Sequence, residues 1–459
     1  MVAGTGNNGG DAFALARQLK DAGYSSFQVY QVGEKSALSS GAALQRELWE
    51  KAGGRVEAGE FSPERFKQIR WIVDGLLGTG LSRPVEGEWA DWIAGLNSLK
   101  VAHVIAIDIP SGLNADTGAV MGVAVRATQT VTLGSLKRGL VTGEASDYVG
   151  KLICDAIGIV PGAPGEKIDA FLFDQEDASR ALPERRASGH KGSYGHVYFW
   201  VGALSTEGAA GLAAIAAYRA GSGLVTLIAD HSLAGLRPRL PVELMAKEVS
   251  LSFVESLAKT DVLVMGPGLG TDGAAWEKVR AALSSPARLV LDADALNAMA
   301  AHSEEACELL GRRQNLTVCT PHPKEAARLL ASETAEVNRD RYRAVQLLSD
   351  RYPAVFILKG QGTLLRSPQS PTYVVKRGNS ALSKGGTGDL LSGIVGSLLG
   401  QGDDALSLSA LGVFAHGRCA EIWSLESGTE RSALASEFAD KLTVVWAELE
   451  RLRGEGTKS

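Results

Sequence analysis

Short apolar runs of strand length recur along this chain, each ending in a cluster of glycines with an acid, and amphipathic stretches follow them. Gly4-Thr5-Gly6-Asn7-Asn8-Gly9-Gly10-Asp11 is the first such cluster, and a related one, Gly385-Gly386-Thr387-Gly388-Asp389, opens an apolar helix. The 54 glycines gather at these points and form no repeat, which suits tight strand-to-helix turns better than a fibrous or disordered chain. Strand–helix alternation of this kind predicts a parallel sheet with helices on both faces. In such sheets ligands bind at the carboxyl ends of the strands, where the clusters lie.

At 459 residues the chain exceeds one ordinary core, so two or three domains are expected. A net charge of −5 without a basic stripe argues against nucleic acid as a partner. Cys154, Cys307, Cys319 and Cys419 form no CxxC pair or zinc spacing, and read as thiols in a reducing cytosol. No apolar run reaches the roughly 18–20 residues of a membrane span, and no signal peptide opens the chain. A cytoplasmic protein with no membrane partner is expected.

The first part predicts helices over 12–22, 36–53 and 90–96, with strands at 27–32, 71–73, 101–107 and 131–133. Val160-Pro161-Gly162-Ala163-Pro164-Gly165 breaks the pattern, because its prolines and glycines continue neither helix nor central strand. Domains are expected at 1–160 and 185–450, with a linker over 161–184. The second part predicts strands at 196–201, 224–229, 262–265, 288–292, 316–319 and 354–358. Helices are expected at 208–220 and 321–331, with a buried one at 388–399 and a frayed tail beyond Arg451. Met1-Val2-Ala3-Gly4 reads as the end of a buried strand, which predicts a first domain that lacks its opening elements.

Three clusters end strands in the first half: Gly4 to Asp11, Asp74 to Pro84, and Asp108 to Gly118. A helix N-terminus after a glycine turn offers free N–H groups to a phosphate, and glycine lets a ligand approach the backbone. Each Asp taken alone could be an N-cap or turn residue; three clusters at strand ends favour one crevice. Together they resemble the epimerase domain of NAD(P)H-hydrate repair proteins, the YjeF N-terminal type. The resemblance implies a Rossmann-like three-layer αβα domain that interconverts the R and S epimers of the hydrate. Asn7, Asn8, Gly9, Gly10 and Asp11 would hold the substrate, together with Gly78, Thr79, Gly80, Leu81, Ser82, Arg83 and Pro84. Asn8, Asp74 and Ser111 would ligate a potassium ion, a hard cation suited to oxygen donors. Asp108 would act as acid/base. Ala12 stands where the family usually has another glycine, and the family's first helices are absent, so weak epimerisation is expected.

In the second half, Gly385 to Gly388 bring backbone N–H groups to the start of an apolar helix, an anion hole for a transferring phosphoryl group. Asp389 follows, placed to take a proton from an attacking hydroxyl. Lys359-Gly360-Gln361-Gly362-Thr363 closes a strong strand, and a Lys there suits a nucleotide phosphate or a solvated turn. His322, between Pro321 and Pro323, is either a ligand contact or a structural His. With the HKGSYG, GPGLG, DADALN and TPHP segments, this set resembles the ADP/ATP-dependent NAD(P)H-hydrate dehydratases, with a ribokinase-like α/β fold over about 185–440. By that resemblance Ala210, Gly268, His322 and Asp389 would meet the hydrate. Lys359 to Thr363 and Asn379 to Gly388, including Gly385, Gly386 and Thr387, would hold the nucleotide. Ala203-Leu204, Lys324 and Glu421 depart from the usual pattern beside this core.

The resemblance implies repair of (S)-NADHX or (S)-NADPHX to NADH or NADPH. ADP would donate a phosphoryl group, with Mg²⁺ on the nucleotide, and AMP and phosphate would leave. A homo-oligomer is expected. Two alternatives stand beside this reading: a small-molecule kinase of the ribokinase-like superfamily, and a first half that binds or oligomerises without catalysis.

Overall fold

The computed structural model describes residues 1–159, 168–202, 207–235, 240–270 and 272–456. The chain forms two compact units, Met1–Ile168 and Asp169–Ser459.

The first unit is an all-parallel sheet of β1 (Val2–Ala3), β2 (Tyr30–Gln31), β3 (Trp71–Gly75), β4 (His103–Ile107), β5 (Gln129–Leu133) and β6 (Lys151–Asp155). Their order is β2-β1-β3-β4-β5-β6, so β1 pairs on both sides, Val2 with Tyr30 and with Asp74. Helices Asn7–Asp21, Ser40–Lys51 and Glu88–Ser98 accompany it. The helix expected over 36–53 begins only at Ser40, because Ser39 Oγ accepts the Ala42 N–H at 3.2 Å as its cap. The strand expected over 27–32 shortens to Tyr30–Gln31. Tyr30, Phe66 and Trp92 pack edge and face in the core beside it. β6 was not expected: most of its residues are exposed and give no alternation to read.

The second unit holds β7 (Ala170–Leu172), β8 (His196–Trp200), β9 (Leu224–Ala229), β10 (Met245–Glu248), β11 (Val262–Met265), β12 (Arg288–Leu291), β13 (Thr317–Cys319), β14 (Val355–Leu358), β15 (Thr363–Arg366) and β16 (Thr372–Val375). Their order is β10-β9-β8-β11-β12-β13-β14-β15-β16-β7. β15 alone runs against its neighbours, as the middle strand of a meander from β14 to β16. β11 and β14 are buried along their whole length, the continuous apolar runs of strands covered on both faces.

The boundary drawn from sequence needs correction. Residues 160–167 lie outside the described residues, but much of the linker expected over 161–184 is folded into the second unit. Ala170–Leu172 pairs with β16, and the helix Gln175–Ala181 starts at Asp174, whose carboxylate accepts the Glu176 and Asp177 N–H groups. A three-residue edge strand with two exposed apolar side chains carries too little pattern to be seen. The tail beyond Arg451 is helical to Gly456 rather than frayed, as the end of the helix Ala435–Gly456.

Candidate active sites

The first crevice is built where β1, β3 and β4 end. The helix Asn7–Asp21 begins at Gly6 with no side-chain cap, so Asn7 to Asp11 form a first turn whose N–H groups lack a side-chain partner. Glycine is required here by close packing. A Cβ on Gly4 would lie 1.8 Å from Leu76 O, and one on Gly9 would lie 2.0 Å from Gly4 O.

The three sequence clusters are joined by one buried hydrogen-bonded knot. Asn8 Nδ2 donates to Leu77 O at 2.9 Å, and Leu77 N–H donates to Ser111 Oγ at 2.8 Å. Ser111 in turn donates to Asp74 twice, from Oγ at 2.6 Å and from its backbone N–H at 2.8 Å. Burial raises the Asp74 carboxyl to about 6 against these donors. Asn8 Oδ1 is buried and has no hydrogen-bond partner among the described residues.

The segment Gly78 to Pro84 follows β3. A Cβ on Gly78 would lie 3.3 Å from Asn8 Cβ, and Leu81 O accepts from Asn114 Nδ2 at 3.2 Å. Thr79, Gly80, Ser82, Arg83 and Pro84 are exposed and open to a ligand.

Asp108 ends β4 in the left-handed region, at φ +64°. Its Oδ1 accepts from Leu133 N–H at 2.9 Å, Thr132 Oγ1 at 3.2 Å and Lys137 Nζ. Asp11 keeps an exposed edge, but desolvation first and the Asp108 charge second raise its pKa.

The second crevice sits at the ends of β11 to β14. The helix Thr387–Leu399 starts at Gly386, which takes φ +91° and supplies no side-chain cap. Its first N–H groups and the helix dipole therefore face outward from Gly385 to Gly388. Thr387 pins the turn by donating to Leu382 O and Lys384 O, both at 2.9 Å.

Asp389 is half-buried in that first turn. Burial first and the charge of Asp292 second push it up to about 6, with Lys359 working the other way. Lys359, expected at the nucleotide phosphate, pairs with Asp292 Oδ1 at 2.7 Å. Asp292 is buried, and its other oxygen accepts from Ser392 Oγ at 2.9 Å. The pair lies directly beneath the anion hole: a Cβ on Gly388 would be 3.7 Å from Lys359 Nζ and 3.8 Å from Asp292 Oδ2.

Gly360 and Gly362 take φ +135° and +60° around Gln361, and Thr363 Oγ1 donates to Gly360 O at 2.9 Å. Lys359 N–H donates to Pro321 O at 2.9 Å, which draws the TPHP turn to this loop. His322 is a helix cap: its Nδ1 accepts from Lys324 and Glu325 N–H at 3.1 and 3.3 Å, so Nε2 carries the proton of the neutral ring. Gly268 takes φ +67° and packs against Gly202, where a Cβ would lie 2.0 Å from Gly268 O. Ala210 is 7% exposed within the apolar core. Ala203-Leu204 lies outside the described residues.

Asn379 turns inward: its Oδ1 caps the turn Ser380–Leu382, and its Nδ2 donates to Ser424 Oγ at 2.9 Å. The neighbouring Gly378 N–H is held by Glu421 at 2.9 Å. Both partners lie on the helix Ala405–Ser427, which was not expected. Sequence reasoning also left Asp292, Ser392, Arg341 and Lys137 out of the sites. Asp292 opens the quoted DADALN run, so its signal was present. Buried Arg341, which donates to Leu358 O and Lys359 O at 3.1 and 3.2 Å, had none.

A Rossmann-like unit and a ribokinase-like unit, each with an anion-ready helix N-terminus beside a carboxylate, define a two-site α/β enzyme. Residues 1–139 match the family of the YjeF-related protein N-terminus, and residues 198–443 match NAD(P)H-hydrate dehydratase. The bifunctional NAD(P)H-hydrate repair enzyme of Escherichia coli K12 is 38% identical over 445 residues, covering 96% of this chain and 84% of that protein. That of Coxiella burnetii is 38% identical over 456 residues, covering 97% and 89%. Among solved structures, the ADP/ATP-dependent NAD(P)H-hydrate dehydratase of Bacillus subtilis, co-crystallised with ATP/Mg²⁺, aligns with TM-score 0.55 at 28% identity. It covers 61% of this chain and 98% of its own. The chain belongs to the bifunctional NAD(P)H-hydrate repair enzymes. Among the described residues no helix is long and apolar enough to cross a membrane.

Proposed function

We propose that the second unit dehydrates (S)-NAD(P)HX with ADP, and that the first interconverts the R and S epimers. The observation that carries the dehydratase reading is Asp389, its pKa raised to about 6, in the first turn of a helix with an uncapped N-terminus.

Asp389 takes the proton of the C6 hydroxyl as that oxygen bonds to the β-phosphorus of ADP and AMP leaves. The N–H groups from Gly385 to Gly388 carry the charge that develops on the transferring group. Phosphate then departs from C6 with its bonding electrons, a ring proton is lost from the neighbouring carbon, and the C=C bond of NAD(P)H forms. Phosphorylation turns hydroxide, a poor leaving group, into a good one.

Mg²⁺ would arrive on the nucleotide phosphates and supply positive charge to the transferring group. In the first unit, the unpartnered oxygen of Asn8, the Asp74 carboxylate and Ser111 Oγ are a donor set that fits K⁺. A bound K⁺ would supply positive charge to the substrate turn. Asp108 is its acid/base, beside the hydrate held by Asn7 to Asp11 and Gly78 to Pro84.

The test is stoichiometric: NADH absorbance should return with one AMP and one phosphate per (S)-hydrate. Product without AMP release would defeat the reading. Replacing K⁺ with Na⁺ should slow epimerisation and leave dehydration unchanged.

A further inference from the structure

We infer that Lys137 is the positioning residue of the epimerisation, holding Asp108 so that one carboxylate oxygen alone faces the crevice. The inference rests on the epimerase reading of the first unit and extends it to a residue outside the substrate segments.

Asp108 sits at a strained backbone position, with φ +64° and its N–H bonded to Val131 O at 2.7 Å. All the donors it receives reach the same oxygen. Leu133 N–H, Thr132 Oγ1 and Lys137 Nζ converge on Oδ1, and among the described residues no donor is bonded to Oδ2. A carboxylate held this way cannot turn without breaking three bonds at once. Its second oxygen is left with free lone pairs in a fixed direction.

Lys137 is itself held. Nζ also donates to Leu133 O at 2.6 Å, and its backbone carbonyl accepts from Leu140 N–H at 3.0 Å. The two side chains of the pair are each 18% exposed, so the contact is shielded from bulk water while still bordering the crevice. An ion pair placed only for stability needs neither the strained backbone nor the saturation of a single oxygen.

The chemistry requires such a direction. The carbon that epimerises carries a hydroxyl and is bonded to the ring nitrogen. The nitrogen lone pair forms a C=N bond as the C–O bond breaks, and the hydroxyl leaves as water after taking one proton. Water then adds to the opposite face and returns one proton, so atoms and electrons balance without a further reactant. The protein must give a proton and recover one at fixed positions. Asp11, with its raised proton affinity, suits the donor, and Oδ2 of Asp108 suits the acceptor.

The experiment uses the full chain with resolved epimers and no ADP, and reads interconversion above the spontaneous rate by chromatography. Lys137→Met should lower kcat about a hundredfold, the scale of a roughly 1 Å misplacement, with KM within a few-fold of the parent. Lys137→Arg should recover most of the rate, and methylammonium should restore part of it to Lys137→Ala. Thermal melting of each variant reports folding separately. An unchanged kcat in Lys137→Met overturns the inference. So does a fall in kcat matched by an equal rise in KM that neither Arg nor methylammonium relieves. If the parent chain and Asp108→Asn both fail to exceed the spontaneous rate, the epimerase reading itself falls, and the inference with it.

Discussion

The two crevices are assembled from the same parts, a glycine-rich turn and an uncapped helix N-terminus beside an acid, yet they hold their acids in opposite ways. Asp108 receives three donors on one oxygen. Asp389 receives none among the described residues, and instead faces the like charge of Asp292 across the Lys359 ammonium. Donors fix a carboxylate's direction, whereas burial first and a neighbouring carboxylate second raise the affinity of Asp389 for a proton. The first arrangement suits a base whose aim matters for either epimer. The second suits a base that must take a proton from one hydroxyl at the moment a phosphoryl group arrives.

The sharpest way to break this contrast is Asp389→Asn. Dehydration should fall by about 10²–10⁴, the usual contribution of a positioned general base. ADP binding by calorimetry should stay close to that of the parent, because the anion hole is made of backbone. More than a tenth of the parent rate in NADH recovery would remove Asp389 from that role.

Lys359→Met tests whether the ammonium serves its buried partner rather than the nucleotide. Removing it strands Asp292 as an uncompensated buried carboxylate, which costs about 3–5 kcal/mol. Adding Asp292→Asn should recover much of the lost stability in chemical denaturation of the second unit. If the single variant melts like the parent and only ADP affinity drops, Lys359 is a phosphate ligand after all.

The pH profile sharpens the comparison further. Asp389 must be ionised to act, and its carboxyl is pushed up to about 6. Dehydration should therefore rise with pH through about 6 and level off above it. In Asp292→Asn the like charge is gone, so the ionised form persists to lower pH and the rise should move down. A profile that stays in place, or moves up, would show that Asp292 does not govern Asp389.

The strand-end clusters, the buried parallel strands and the helix Thr387–Leu399 were legible because each couples a period to a turn. Asp389 could be chosen because it stands directly after Gly385 to Gly388 at the start of an apolar helix; Asp108 ends an apolar run, and its role came from the resemblance to the epimerase domain. What could not be read was long-range pairing. That Lys359 meets Asp292, across 67 residues, follows from β12 and β14 flanking β13, and no local spacing encodes it. Lys137 was missed similarly, because its partner lies on the neighbouring strand. The edge strands β6 and β7 escaped because exposure dissolves alternation, and Glu421 was noticed only as a departure from a family pattern.

That departure carries the smallest predicted effect. Glu421 accepts the Gly378 N–H at 2.9 Å and faces Arg377 and Arg418 at 3.3 and 3.2 Å, on a helix that passes close under the loop. Gly417 permits the approach: a Cβ there would lie 2.6 Å from the Arg377 carbonyl carbon. The loop so anchored runs on to Asn379 and to the anion hole. Glu421→Gln keeps an acceptor for Gly378 but loses the charge that gathers the two arginines. A hydrogen bond weakened from charged to neutral changes stability by about 1 kcal/mol, so KM for ADP should rise about fivefold with kcat nearly unchanged. Glu421→Ala, which leaves the Gly378 N–H without its partner, should raise it further. Equal KM values for parent, Gln and Ala variants would mean that the loop is set by Thr387 and the glycines alone. The helix Ala405–Ser427 would then support the core without tuning the nucleotide site.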